Sequence, residues 1–478
     1  MNVFIIIIPY DELIETEINP ATVLLDFVRN QRLTGTKEGC KEGDCGACTV
    51  LTGELSRGEI KYRAINSCLI PLQNVIGKHI VTIEGINQND NFLNPLQQAF
   101  VDEGASQCGF CTPGFIISLT GFFLNNTSED KFAVLDALDG NICRCTGHNS
   151  IIRAAESISE KFKFILNTNG TKLKYLTDNK IIPEYFLSVK SRLEKLENEN
   201  SSKTPFSGST KYFIGGGTDL FVQRPDEMLS SEISFLSGNK NLTGIIEKDG
   251  KCFVGSSTTV TELLESSIIK KIIPGIDRFA ELFGSTPIRN SATVGGNLNN
   301  ASPIGDMTAF FMGLNSSVIL KKGNDNSKRV IPLNKFYKGY KVTERNPDEL
   351  MEAINFTIPC GYYFFNFEKV SKRTYLDIAT VNSAMLINVE NGSIINVNIS
   401  AGGVGPTPLY LFNTCNFLNS KELNFNNIKE AVTIADSEIA PISDARGSSE
   451  YKRLLLSRLI YLHFINLFPE IINLKDTL

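Results

Sequence analysis

The patterning of this chain predicts an α+β protein of several domains, on three observations. Strand-like runs enclose one helical stretch up to about residue 86, helical spacing takes over from Asn94, and Gly-rich loops separate strand-like runs from about residue 206. The 478 residues leave room for roughly three domains. With 42% hydrophobic residues, 21% charged residues and a net charge of -5, the composition is that of an ordinary soluble globular protein. Nothing is basic enough to suggest a nucleic-acid partner.

The first segment, 1–86, holds the β-branched runs VFIIIIPY, ACTVLTGEL and HIVTIEGI and one helical stretch, TVLLDFVRNQ, with Leu24 and Val28 at helical spacing. A small mixed sheet holding one helix is expected. The run from Val3 to Ile8 is too short to span a bilayer and reads as a buried strand, so no membrane is expected. The N-terminal residues lack a basic region of the export type, which favours the cytoplasm.

The second segment, 87–166, reads as a helical bundle. Asn94 before Pro95 and Thr112 before Pro113 are helix starts, and Phe115, Leu119, Phe122 and Phe123 share a face. Ser128 can cap a third helix, and Asn149 or Ser150 a fourth carrying Ile151, Ala155, Ile158 and Phe162. Residues 167–205 are a polar linker with a short amphipathic helix, and KSRLEKLENENSSK ends in a Ser/Lys run without an apolar face. In 206–360 the Gly-rich loops dominate. The last region, 361–478, alternates strands (TVNSAMLINVE, SIINVNISAGG) with a late helix, YKRLLLSRLIYLHFINLF, as an α+β unit.

Eight of the eleven cysteines precede residue 150. Cys40, Cys45, Cys48 and Cys68 read C-x4-C-x2-C with a later fourth, the plant-type spacing for a 2Fe-2S cluster. Cys108, Cys111, Cys143 and Cys145 read C-x2-C with a distant C-x-C. Zinc would fit this second group on count, although a C-x-C pair is an unusual zinc half-site. Disulfides suit small secreted chains, and no export signal is expected here. Gly39, Gly43 and Gly46 flank the first three cysteines, letting backbone N–H groups approach a cluster's sulfurs, which zinc does not require. Helix N-termini near the second group favour an anionic cluster there. Cys252, Cys360 and Cys415 are dispersed and read as core cysteines.

Two loops invite a phosphate-bearing cofactor. FIGGGTDL comprises Phe213, Ile214, Gly215, Gly216, Gly217, Thr218, Asp219 and Leu220, and TVGGNLNNASPIGD opens with Thr293, Val294, Gly295, Gly296 and Asn297. Successive glycines can expose backbone N–H groups to a pyrophosphate, and Asn and Ser add donors for sugar hydroxyls. Taken alone, each loop of this kind is more often a tight turn than a ligand loop. Neither is a G-x-G-x-x-G fingerprint followed by a helix. A flavin, which exchanges electrons singly or in pairs, would suit one-electron clusters.

The segments LLDFVRNQRLTGTKEGCKEGDCGACTV, QCGFCTPG, NICRCTGH, FIGGGTDL, IRNSATVGGNLNNASPIGD and FYKGYK, in that order, resemble the iron-sulfur/FAD subunits of the molybdenum hydroxylase family, and among them its xanthine dehydrogenase branch. The resemblance implies a plant-ferredoxin-like β-grasp domain, a helical 2Fe-2S domain, and an FAD-binding domain of the vanillyl-alcohol-oxidase type with a C-terminal α+β domain. It implies two 2Fe-2S clusters on the two cysteine groups and FAD on both loops. It also implies FAD contacts from Phe283, Asp306 and Lys369. No segment resembles a molybdopterin domain, so substrate hydroxylation is expected in a molybdopterin-binding large subunit, in a dimer of heterodimers. Fusion of the iron-sulfur and flavin regions in one chain favours the xanthine branch over relatives acting on aldehydes, carbon monoxide or aromatic thioesters. Tyr340 in FYKGYK resembles a tyrosine near the nicotinamide side and points to NAD as co-substrate. A redox-responsive binding protein is the rival from another class. Where the family commonly has CRCTGY this chain has His148, which reads as a packed or solvated side chain.

Overall fold

In the computed structural model, which describes residues 3–8, 12–56, 58–88, 92–125, 131–163, 172–199, 211–322, 327–373 and 376–472, the early β-branched runs become strands. β1 (Val3–Ile8) pairs antiparallel with β2 (Glu12–Thr16) and parallel with β5 (His79–Val81). β3 (Thr49–Ser56) pairs antiparallel with both β4 (Glu59–Asn66) and β5, giving the order β2-β1-β5-β3-β4. Helix α1 (Leu24–Asn30) covers this mixed sheet, its Leu24, Phe27 and Val28 sharing a core with Val50, Ile65 and Ile80.

The helical segment follows. Helix α2 (Pro95–Asp102) starts in a capping box: the Asn94 side chain accepts from the Gln97 N–H and the Gln97 side chain from the Asn94 N–H, each at 2.9 Å. Helices α3 (Thr112–Asn125), α4 (Lys131–Asp136) and α5 (Asn149–Lys161) bury Phe115, Leu119, Phe123, Val134, Ile151, Ala155 and Ile158 in one core. Leu51 and Val81 of the sheet belong to that core too. The expected cap Ser128 lies outside the described residues. α5 is capped neither by Asn149 nor by Ser150: His148 occupies the N-cap position in a left-handed conformation, φ 70°.

The connector is more ordered than its polarity suggests. It holds α6 (Lys172–Asp178) and α7 (Phe186–Glu199), and α7 buries Val189, Leu193 and Leu196 against Leu55, Ile60 and Tyr185. Those three residues stand at i, i+4 and i+7, a narrow apolar stripe inside a Lys/Glu-rich stretch.

The chain divides into two compact units. The first comprises Met1–Pro205 with Gly216–Phe235 and Ser285–Ser291, and the second comprises Phe206–Gly215, Leu236–Gly284 and Ala292–Leu478. Within the first, Asp139, with 3% of its side chain exposed, accepts from the Thr286 N–H at 2.8 Å and from Arg289 at 3.0 Å. The second has two larger antiparallel sheets besides the two-stranded pair Tyr337–Gly339 and Val342–Thr343. One runs Lys328–Pro332, Ser317–Lys322, Glu349–Thr357, Lys251–Gly255, Ile245–Lys248; the other runs Tyr363–Val370, Val381–Glu390, Ser393–Gly402, Leu409–Tyr410. The late helix is Ser449–Leu467, and two further helices, Phe412–Leu418 and Phe425–Glu438, share its core with the second sheet. Cys252 and Cys415 are buried, but Cys360 is exposed in the turn before Gly361, so it is not a core residue. Among the described residues no helix is long and apolar enough to cross a membrane.

Candidate iron-sulfur and flavin sites

The first cysteine group sits where the chain leaves α1 for β3, with Cys68 in the turn after β4. Four residues of this loop have positive φ: Arg32 at 65°, Lys41 at 55°, Gly43 at 81° and Gly46 at 65°. A Cβ on Gly39 would lie 2.7 Å from Cys45 Sγ, and one on Gly46 would strike the Gly140 carbonyl, so both glycines are required by close approach. Cys48 Sγ and Cys68 Sγ are 3.3 Å apart and buried, and the Glu42 N–H points at Cys40 Sγ at 3.4 Å. The side chain of Cys45 holds the Cys40 thiol well below the usual range, at about 4, while Cys45 is pushed up. Cys68 does the same for Cys48 and is itself raised. The four sulfurs therefore fall into two pairs, Cys40 with Cys45 and Cys48 with Cys68, in each of which one thiol is lowered and its partner raised.

The second group flanks two helices of the bundle. Cys111 immediately precedes α3 and its carbonyl accepts the Phe115 N–H at 3.3 Å; Cys143 and Cys145 lie just ahead of α5. Cys145 Sγ approaches Cys108 Sγ at 3.5 Å. Burial, with the neighbouring Cys143, pushes the Cys111 thiol up to about 12. Cys143 Sγ accepts from the Cys145 N–H at 3.4 Å, the Thr146 N–H at 3.4 Å and the Thr146 hydroxyl at 3.2 Å, and its thiol is lowered. Among the described residues no three His, Cys, Asp or Glu side chains converge as the ligands of one metal ion would. Pairing of sulfurs suits a two-iron cluster, in which each iron takes two thiolates, better than a tetrahedral zinc.

The two groups are stitched together. The Ile142 N–H, one residue before Cys143, donates to the Cys45 carbonyl at 3.0 Å. Asn141 donates to the Gly46 carbonyl at 3.1 Å and accepts from the Ser118 hydroxyl at 2.7 Å. Sequence spacing gave no sign of Asn141, Thr146 or Ser118, whose roles depend on the fold. His148 is packed, as its setting suggests, with its ring against Phe115, and its Nε2 accepts the Cys143 N–H at 3.0 Å.

The candidate flavin residues divide between the units. In the second, Ile214 is buried, and the Arg345 guanidinium lies 5.8 Å from the centre of the Phe213 ring. A Cβ on Gly215 would lie 2.5 Å from Thr293 Oγ1. In the first, Gly216, Gly217, Thr218, Asp219 and Leu220 lead into the short helix Leu220–Gln223. Gly217 has φ 88°, and a Cβ there would press on Phe221 and the Leu69 carbonyl. The expected second loop is partly helical: Thr293 caps Val294–Asn300, its Oγ1 accepting the Gly296 N–H at 3.1 Å. Its two glycines differ in kind. Gly295 is packed on the Ser256 backbone, whereas a Cβ on Gly296 would meet only Thr293 Oγ1 within 4 Å.

Nearby in the second unit, Lys369 Nζ, with 4% of its side chain exposed, donates to Asp306 at 2.8 Å and to the Leu282 carbonyl at 2.6 Å. Asn382 donates to the other Asp306 oxygen at 2.7 Å. The structure thus brings Asp306 and Lys369 together beside the residue preceding Phe283, whose ring packs against Phe310 and Phe367. Ser256 Oγ, Asn297 Oδ1, Asn299 Oδ1 and Asn382 Oδ1 are buried without a hydrogen-bond partner. Orphaned polar atoms on and around the glycine turn fit a bound molecule rich in hydroxyl and N–H groups, as FAD is.

Four family models match the chain. They are a 2Fe-2S iron-sulfur cluster binding domain over 8–73, a [2Fe-2S] binding domain over 82–156, an FAD binding domain in molybdopterin dehydrogenase over 193–359, and a CO dehydrogenase flavoprotein C-terminal domain over 366–467. A xanthine dehydrogenase of Emericella nidulans is 28% identical over 85% of this chain and 34% of its own length. Xanthine dehydrogenase 1 of Arabidopsis thaliana is 27% identical over 92% of this chain and 38% of its own. The chain spans little more than a third of the length of these relatives. Among solved structures, a cyanide-inactivated Cu,Mo-CO dehydrogenase chain is similar with a TM-score of 0.49 and 26% identity, over 52% of this chain and 87% of that one.

Proposed function

We propose that this chain, which belongs to the molybdenum hydroxylase family as its iron-sulfur/FAD subunit, serves a xanthine dehydrogenase, taking electrons from a molybdopterin-bearing partner and delivering them to NAD. Two 2Fe-2S clusters and FAD supply the electron-carrying chemistry when bound. Cys40, Cys45, Cys48 and Cys68 would hold one cluster and Cys108, Cys111, Cys143 and Cys145 the other. The observation that carries this reading is the pairing of sulfurs within each group, joined between groups by the Asn141 side chain on the Gly46 carbonyl and by the backbone hydrogen bond from the Ile142 N–H to the Cys45 carbonyl. That bond sits beside a proposed ligand of each cluster, so the backbone keeps the two sites at fixed separation.

FAD would be held in the second unit by Phe213, Ile214 and Gly215 and by Thr293, Val294, Gly295, Gly296 and Asn297, while Gly216 to Leu220, in the first unit, are candidates by resemblance alone. Gly296 would leave room for its phosphates, and the orphaned amides and hydroxyls would receive its polar groups. The Lys369–Asp306 pair fixes a cation at 4% exposure, where it would favour negative charge on a reduced ring. Xanthine as the partner's substrate is supported by the two named relatives and by the joining of iron-sulfur and flavin regions in one chain. NAD is supported by the resemblance at Tyr340, which is 65% exposed.

The test uses the purified chain. It is expected to oxidise NADH with an artificial dye and to leave xanthine unchanged with NAD, until a molybdopterin-bearing partner restores purine turnover. Flavin binding without any NADH oxidation would overturn the NAD assignment, and restoration of aldehyde but not purine oxidation would overturn the xanthine assignment.

A further inference from the structure

We infer that His148 is a positioning residue for the second iron-sulfur centre, which engages the Cys143 N–H and so keeps that donor off the cluster sulfurs. This rests on the reading of Cys143 as a ligand.

The imidazole and the loop form a closed ring of hydrogen bonds. Nε2 of His148 accepts the Cys143 N–H at 3.0 Å, which leaves the ring proton on Nδ1. The His148 backbone N–H donates to Thr146 Oγ1 at 3.4 Å, and that hydroxyl donates to Cys143 Sγ at 3.2 Å. One residue thus holds Cys143 from both sides, through its ring at the nitrogen and through Thr146 at the sulfur. The ring is fixed in turn. Phe115, fully buried on the helix that follows Cys111, meets it edge-on at 5.7 Å and 73°. The left-handed backbone of His148 starts α5, its carbonyl accepting the Ile152 N–H at 2.9 Å.

The consequence is electrostatic. Each N–H or O–H directed at a cluster's sulfurs favours the more negative, reduced state and raises the reduction potential. Cys143 Sγ already receives three donors. Without His148 as its acceptor the Cys143 N–H must find another, and the thiolate sulfur is the acceptor this turn already offers to the Cys145 and Thr146 N–H groups.

The experiment compares full-length chain with its His148→Phe and His148→Gln forms. Phe keeps an aromatic ring against Phe115 without the acceptor, and Gln offers an oxygen in place of Nε2. Low-temperature EPR during anaerobic reductive titration follows both centres, the second being the one that Cys143→Ser removes. In His148→Phe the second centre is expected to shift to a more positive midpoint potential with altered g-values, the first centre staying unchanged. His148→Gln is expected to stay close to the parent. Loss of the second centre in His148→Phe with retention in His148→Gln also supports the role. An unchanged second centre in His148→Phe, or equal effects of both substitutions, overturns it. A parent chain binding only about two irons would instead defeat the ligand reading, a result distinguishable from either.

Discussion

Cys143 shows how much of a metal site is local and how much is not. The C-x-C spacing makes it a candidate ligand, because thiolates must reach one cluster from a short stretch of backbone. The donors that surround its sulfur come from Thr146 and Cys145, and its own N–H goes to His148. No spacing rule marks His148. Its role appears once the left-handed turn at φ 70° aims the ring back along the chain. Replacing Cys143 by Ser should lower bound iron from about four to about two per chain, measured by iron analysis, with the EPR signal of the first centre intact. Loss of both signals would show that the groups are not independent.

The glycines separate in the same way. The run VGGN is visible as a candidate cradle, but the sequence does not say which glycine faces a ligand. Gly295 is committed to packing on the Ser256 backbone, whereas a Cβ on Gly296 would meet only the Thr293 hydroxyl, at 2.8 Å, so Gly296 is the less enclosed of the two. A Gly296→Val chain should retain both iron-sulfur centres and lose FAD, read as the flavin absorbance remaining after gel filtration. A variant that holds FAD as tightly as the parent would assign that turn to the fold alone.

At the level of elements, helices with clear punctuation were legible. Asn94 and Pro95 open α2 with a capping box, and the apolar face of α3 is dense enough to read directly. The short amphipathic helix expected in the connector is there as α7, but its burial was not legible, since Val189, Leu193 and Leu196 are spaced among charged residues and covered by partners in β3, β4 and the connector itself. Helix Val294–Asn300 was missed because its two glycines and three asparagines have weak helix propensity, and the Thr293 cap stabilises its start.

Helix Ser449–Leu467 carries a buried histidine with a measurable consequence. His463 is fully buried between Asn366 and Ser383, and desolvation pushes its pKa down from 6.5 to about 3. A histidine whose folded value lies below its unfolded value contributes stability that is complete above pH 6.5 and is lost as pH falls towards 3. By pH 5 the loss should be about 2 kcal/mol. Urea unfolding of the parent between pH 7 and 5 should show this slope, and a His463→Leu chain should show a shallower one. Equal slopes would mean that the imidazole is protonated in the fold.

For the whole molecule, the order of domains could be read from the sequence, because the cysteine groups, the Gly-rich loops and the late α+β pattern follow one another. The interleaving could not. Ser285–Ser291 belongs to the first unit although its neighbours on both sides belong to the second, and what holds it is Asp139, a residue 147 positions from Thr286. Such a contact pairs ordinary residues at long separation and leaves no local pattern.

On this account one chain holds two distinct 2Fe-2S centres together with FAD. The most direct measurement is quantitative EPR of the dithionite-reduced, purified chain, alongside iron and flavin analysis. Two separate signals should appear, each integrating to about one spin per chain, with about four irons and about one FAD. A single signal with half that iron, or zinc in place of iron at the second cysteine group, would contradict it.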